Sequence, residues 1–171
     1  MKSSSRLLAR YLKDLPAAEL TWIGLRPGHR LPMQTAGHAQ AVADFGLEGD
    51  HRSRKKAGSG RQVTIISEEF IRQIAQFTGH TQIDPTLLRR NLVIRGINLN
   101  ALRYQQFAIG EAVFEAGALC DPCSRMEEAL GKGGFAAMMG HGGLCLKVIK
   151  GGAINTGDAV KLIMPEQQAL L

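Results

Sequence analysis

The chain has 171 residues, 44% apolar and 21% charged, with a net charge of +6. A chain of this size buries roughly two-thirds of its unfolded surface and needs no covalent staple, and an odd count of three cysteines argues against a secreted disulfide framework and for the reducing cytoplasm. No apolar run reaches the ~18 residues of a membrane span, and the positive excess comes without the basic helix or interleaved aromatics of a nucleic-acid binder, which leaves a small anionic ligand or simply a basic surface.

Ser5 to Leu15 reads as an amphipathic helix with Leu8, Tyr11, Leu12 and Leu15 on one face, ended by Pro16. "LTWIGLRP" is strand-like and stops at Pro27-Gly28, and "HAQAVADFGLEGD" starts as a strand and runs into Gly46 and Gly49. "HRSRKKAGSGR" reads as a mobile basic loop and "QVTIIS" as a β-branched strand. Ser67 then caps a helix through "EEFIRQIAQFTG", with Phe70, Ile74 and Phe77 expected on one face, acidic residues in the first turn and Gly79 closing it. "IDPTLLRRN" is a one-turn helix feeding the strand "LVIRGI", and "ALRYQQFAIGEAVFEAGAL" holds two strands around Gly110. Short helices follow in "SRMEEAL", stopped by Gly131, and in "FAAMMG"; "HGGLCLKVIKGGAINTGDAVKLIM" closes the chain as strand, glycine-rich turn and strand. Twenty glycines and an aromatic content of 5% suit turns between short strands. Strands with helices inserted singly do not make a βαβ series, so the expected architecture is mostly β with peripheral helices, a β-barrel or curled sheet. Neither repeat nor linker divides residues 1–171, which read as one domain.

The chemistry concentrates in "CDPCSRMEEALGKGG", Cys120 to Gly134. Cys120-x-x-Cys123 is half of a four-cysteine zinc site, but no second CxxC or HxxxH pair follows. A disulfide redox pair has the right strand and helix flanks in the wrong class of fold. Cys145, in the apolar run "LCLKVI", reads as a packed thiol, and Cys120 reads equally as packed or reactive. Cys123 differs: Pro122 fixes the backbone before it, and Ser124 to Glu128 looks like a first helical turn. At a helix N-terminus, or beside a cation such as Arg125 or Lys132, a thiol pKa falls by about one to several units, although Asp121 and two glutamates oppose this.

An anion has two further landing places. "LLRRNLVIRG" sets Arg89, Arg90 and Asn91 together before a strand, and the glycines of "KGGF", Gly133 among them, and of "GHGG" let backbone amides approach a phosphate. A helix dipole supplies only ~0.3–1 kcal/mol, against ~1.5–3 kcal/mol for each hydrogen bond to a charged group, so the arginines are needed.

Six segments in order, "GLEGDH", "RQVTIISEE", "RRNLVIRGINLNAL", "IGEAV", "DPCSRM" and "GGAINTGDAV", resemble the MOSC domain, named for the C-terminal domain of molybdenum-cofactor sulfurase, and in particular its bacterial stand-alone members. The likeness runs over residues 46–160, with 1–45 adding the N-terminal helix and first strands. It implies a MOSC-type β-barrel that binds the molybdenum cofactor (molybdopterin), with Cys123 as sulfur carrier or molybdenum ligand. It also implies a pocket including Arg90 and Asn91, with Arg89, Asp50 and His51 at the same mouth. Many relatives have Arg then His after "GD", whereas this chain has His51-Arg52. The PLP-dependent desulfurase domain of the full sulfurase is missing, as is the amino-terminal barrel of amidoxime-reducing relatives; neither PLP nor flavin is expected.

Three functions follow from the resemblance. One is a molybdenum-dependent oxidoreductase acting on N-hydroxylated compounds, with electrons from a separate reductase and His51 or His141 as proton donor. Another is a persulfide carrier in which Cys123 takes sulfur from a donor protein and Cys120 is the resolving thiol. The third is a non-catalytic cofactor delivery module. The protein is expected in the cytoplasm as a monomer or homodimer.

Overall fold

The computed structural model of the chain describes residues 11, 12 and 14–164. Most of the N-terminal helix expected from Ser5 to Leu15 lies outside them. Eleven strands are described: β1 (Ala18–Leu25), β2 (Gln34–Ala36), β3 (His38–Val42), β4 (Gly46–Leu47), β5 (Val63–Ser67), β6 (Leu92–Arg95), β7 (Gln106–Ile109), β8 (Ala112–Leu119), β9 (Leu144–Lys150), β10 (Gly152–Asn155) and β11 (Ala159–Ile163). Seven run in the order β11-β7-β8-β9-β5-β6-β1, and pairing of β1 with β11 through Ala18↔Val160 closes them into a barrel. β2 continues from β1, and β10-β3-β4 form a separate small sheet. Closure leaves the barrel strands no free edge.

The expectation of a mostly β barrel with peripheral helices holds. One β-α-β unit stands inside it: β5 and β6 pair in parallel, Ile65↔Leu92, and the connection carries α1 (Glu68–Thr78) and α2 (Pro85–Leu88). Parallel neighbours require such a crossover. The last stretch yields three strands where two were expected, because Gly152 starts β10 on the small sheet. The shorter helices α3 (Arg125–Leu130) and α4 (Gly134–Ala137) stand between β8 and β9.

Alternation along the strands sorts the two faces of the wall. Val63, Ile65, Leu92, Leu144 and Leu146 pack in the barrel core with Phe107 and Phe114. Ile66 and Val93 face outward, under α1 and the shorter helices. By the same alternation Thr64, Asn91 and Cys145 belong to the outer face, where the functional residues gather. Among the described residues no helix is long and apolar enough to cross a membrane.

Helix α1 has the caps expected: Ser67 Oγ accepts the Phe70 amide at 3.2 Å, and Gly79 takes the left-handed conformation at φ 72°. Its buried face differs from the expected one. Ile71, Ile74 and Ala75 are buried, whereas Phe77 is 59% exposed, so the helix is rotated toward its β-branched residues. Ile74→Ala should therefore lower stability by ~2–5 kcal/mol, and Phe77→Ala by under about 1 kcal/mol, in urea unfolding; equal losses would contradict this packing.

Candidate functional site

One buried carboxylate organises the outer face. Asp50 accepts the Arg26 amide at 3.0 Å, Arg26 Nε at 2.9 Å and Nη2 at 3.2 Å, Asn91 Nδ2 at 2.7 Å and the Arg52 amide at 2.9 Å. Asn91 Oδ1 in turn accepts Arg26 Nη2 at 2.6 Å and both the amide and hydroxyl of Thr64 at 3.1 Å, and Nδ2 also donates to Gly24 O. Local sequence explains the arrangement. Asp50 caps the 3-10 turn His51–Arg54, Arg26 follows β1, and Arg89 in the left-handed conformation, φ 55°, turns the corner from α2 into β6. Burial raises the Asp50 carboxyl, but Arg26 and the two amides outweigh it and hold the group below the ordinary 3.8.

Beside this network lies a cavity of about 890 Å³. Seven arginines (26, 30, 52, 61, 89, 90 and 125) and Lys55 line it, with His29, His51, Asp121, Cys123 and Glu128. Cys123 is exposed there. It precedes Ser124, the N-cap of the six-residue helix α3, which makes no side-chain capping bond. Arg125 Nη2 lies 3.3 Å from His29 Nε2, joining this loop to the turn after β1. His51 is half-buried, with Nδ1 3.8 Å from Asp50 Oδ1. Desolvation lowers its pKa; Asp50 opposes this, while Arg26, Arg52 and Lys55 add to it, so the imidazole is neutral at neutral pH. Burial together with neighbouring arginines lowers the pKa of Arg52, Arg89 and Arg90 as well.

The sequence-derived residues divide. His51, Arg89, Arg90, Arg125 and Cys123 line the cavity. Asp50 and Asn91 stand behind it, 1% and 0% exposed, with every polar atom of the Asn91 side chain bonded within the protein; both brace the wall. Arg90 is largely committed too, donating to Gly142 O at 2.6 Å, Leu88 O at 3.0 Å and Cys120 O at 2.9 Å. Lys132 and Gly133 are not among the lining residues. The amides of Gly133 and Phe135 do hold an anion, but it is the protein's own Glu127 carboxylate, at 2.7 and 2.9 Å. The glycines of "GHGG" serve packing: a Cβ on Gly142 would collide with Cys120 O, and one on Gly143 with Ile65 O. His141 stacks edge-on against Phe70 and Phe77, with centroids 5.2 and 5.8 Å apart, away from the cavity.

Sequence reading missed Arg26, His29, Arg30, Arg52 and Arg61. The signal is present in "RPGHR" and "HRSRKKAGSGR", which read as a turn and as a mobile basic loop. A lowered thiol that the sequence does not mark is Cys120, brought down to about 6. A hydrogen bond from Cys145 favours the Cys120 thiolate, burial opposes it, and Arg90, Arg61 and Arg26 favour it. Cys145 moves upward for the reciprocal reason.

Two tests separate support from reactivity. Asn91→Ala strands Arg26, Asp50 and Thr64 at once and should cost ~3 kcal/mol or more in urea unfolding; an unchanged midpoint would make Asn91 a ligand residue after all. At neutral pH the thiolate ultraviolet absorbance should survive Cys123→Ser and fall in Cys120→Ser. Because the Cys120 pKa is depressed from 9.0 to about 6, its contribution to stability is present above 9.0 and is lost as pH falls through about 6.

The MOSC domain family matches residues 52–161. A search of curated proteins finds no match. Among solved structures, the YuaD protein from Bacillus subtilis superposes with a TM-score of 0.73 at 19% identity, covering 86% of this chain and 96% of that one. YiiM from Geobacillus stearothermophilus gives 0.69 at 12% identity, covering 85% and 75%. YiiM from Escherichia coli gives 0.62 at 18% identity, covering 85% and 69%. These identities speak for the fold alone, and the family match spans well over half of the 171 residues: the chain belongs to the MOSC domain family.

Proposed function

We propose that the cavity binds the molybdenum cofactor, the ligand associated with this family, and that Cys123 is its thiolate ligand. The observation that carries this reading is a single one: the exposed Cys123 lines the same cavity as seven arginines. A soft metal takes a thiolate, and a pterin phosphate takes guanidiniums.

The residues present fit such a guest. Arg52 Nε, Arg61 Nε and His51 Nδ1 are buried nitrogens without a hydrogen-bond partner, in three side chains that line the cavity. Native proteins rarely leave buried donors unmatched, which supports an anionic partner for this wall. Arg52 and Arg61 would hold the phosphate end, and Arg89 and Arg125 would flank Cys123. When bound, the cofactor supplies two-electron oxygen-atom chemistry, read here as removal of oxygen from N-hydroxylated compounds with electrons from a separate reductase. His51, which lines the cavity, would be the residue that holds or passes a proton.

Protein made in a cofactor-competent host should carry molybdenum and pterin by elemental and fluorescence analysis. Cys123→Ser should reduce the metal content by ~tenfold or more, equivalent to ~1.4 kcal/mol or more. Arg52→Ala with Arg61→Ala should lower pterin retention, with the loss growing at high salt as the remaining charges are screened. Full molybdenum in the Cys123→Ser protein overturns the ligand assignment. Metal-free protein with one extra sulfur on Cys123 replaces it with the persulfide-carrier reading.

A further inference from the structure

The charge balance around Arg90 points to a second sulfur site. This guanidinium is 5% exposed, its three described hydrogen bonds go to neutral carbonyls, and no carboxylate among the described residues pairs with it. An isolated buried cation is costly. The acidic group that acts on it most strongly is the Cys120 thiol. A second guanidinium converges on the same sulfur: Arg61 Nη2 donates to Cys120 Sγ at 3.2 Å. Thiolates are stabilised by such cations.

Cys120 also has a sulfur neighbour. It leaves β8 opposite the start of β9, where Leu119 pairs with Leu144 and the Cys120 amide donates to Gly143 O at 2.8 Å. Cys145, on the outward face of β9, puts its thiol 3.9 Å from the carbonyl of Leu119, the residue before Cys120. The two residues are 1% and 5% exposed, whereas Cys123 lines the cavity and is exposed.

We propose that Cys120 and Cys145 form a peroxide-reactive dithiol, separate from Cys123, and that its oxidation to a disulfide strips Arg61 and Arg90 of their counter-charge and strengthens the cavity's hold on anions. The Cys120 thiolate attacks one oxygen of hydrogen peroxide. The O–O bond breaks, hydroxide leaves and is protonated to water, and sulfur, oxidised by two electrons, becomes a sulfenic acid. The Cys145 thiol then attacks that sulfur. The S–O bond breaks, the hydroxyl departs as water with the thiol's proton, and the S–S bond forms. Two thiols and one peroxide thus give one disulfide and two waters. Arg61, which lines the cavity and donates to Cys120 Sγ, marks the route by which peroxide, small and neutral, would reach the sulfur. The disulfide carries no charge, so Arg61 loses its partner and becomes available to a guest.

The consequence for a bound cofactor rests on the molybdenum reading above; the disulfide does not, and it is measured on protein with no cofactor loaded. Wild-type and Cys123→Ser proteins are treated with hydrogen peroxide, quenched with an alkylating reagent and mapped as peptides. The expected product in both is a Cys120–Cys145 cross-linked pair lighter by two hydrogens. In Cys145→Ser, or Cys145→Ala should the serine variant misfold, dimedone should instead capture a sulfenic acid on Cys120. A Cys120–Cys123 link, or oxidation confined to Cys123, overturns the proposal. Calorimetric titration of inorganic pyrophosphate into reduced and oxidised Cys123→Ser protein should show several-fold tighter binding in the oxidised form, and equal affinities overturn the coupling to the cavity.

Discussion

Asp50 is the constraint on which the rest of the site depends. Five donors converge on its two oxygens, and they come from three places: the exit of β1, the 3-10 turn after β4, and the first residue before β6. No strand pairing alone would hold these segments in one plane, because β4 belongs to the small sheet while β1 and β6 belong to the barrel. The buried Arg26–Asp50 pair offsets its desolvation only because Asn91 satisfies what the ion pair leaves over. With those three side chains fixed, the corner at Arg89 and the basic turn at His51 and Arg52 stand on either side of a defined space.

That space gathers like charges, and like charges repel. Two cations 4 Å apart oppose each other by about 1 kcal/mol in water and by more as water is excluded. The fold tolerates this because its innermost arginines are tethered. Arg26 is held by Asp50, Arg90 by three carbonyls, and Arg89 by Leu31 O at 2.8 Å. Arg30 and Arg89 are two of four non-glycine residues at positive φ among the described residues, a conformation that side chains rarely adopt unless packing enforces it. Any anion entering this space would meet positive charge whose repulsion was already met by folding, which is what preorganisation means for binding.

Much of the fold was legible because local chemistry and tertiary structure agree. Ser67 and Gly79 cap and close α1 where sequence places them, and the strands around Gly110 form the expected hairpin. The parallel β5–β6 pairing was illegible, since periodicity reports a strand's burial and not its partner. The site was legible at Cys123 and at the Arg89-Arg90-Asn91 run, but not in the roles: whether an asparagine faces a ligand or a neighbouring strand depends on register, and here Thr64 sits beside Asn91 and takes up its carbonyl oxygen. Arg26 and Arg61 were illegible because they stand in segments far apart in the chain, and only the fold brings them to one cavity. The family match itself begins at residue 52, so Arg26, Asp50 and His51 lie outside it.

The CxxC spacing misleads for a related reason. Proximity in sequence suggests that Cys120 and Cys123 act as a pair, yet their surroundings differ in kind. Cys120 ends a barrel strand and is locked to it through Gly143 O, so its sulfur shares the wall with Cys145 across the β8–β9 ladder. Pro122 then takes the chain off the sheet, and Cys123, whose carbonyl accepts the Met126 amide at 2.8 Å, opens onto the cavity. One sulfur is thereby coupled to the electrostatics of the wall and the other to whatever the cavity holds. Arg90 touches both environments: it bonds the Cys120 carbonyl while its guanidinium lines the cavity. Arg61 and Arg90 thus both stand between the buried sulfur and the cavity that Cys123 faces.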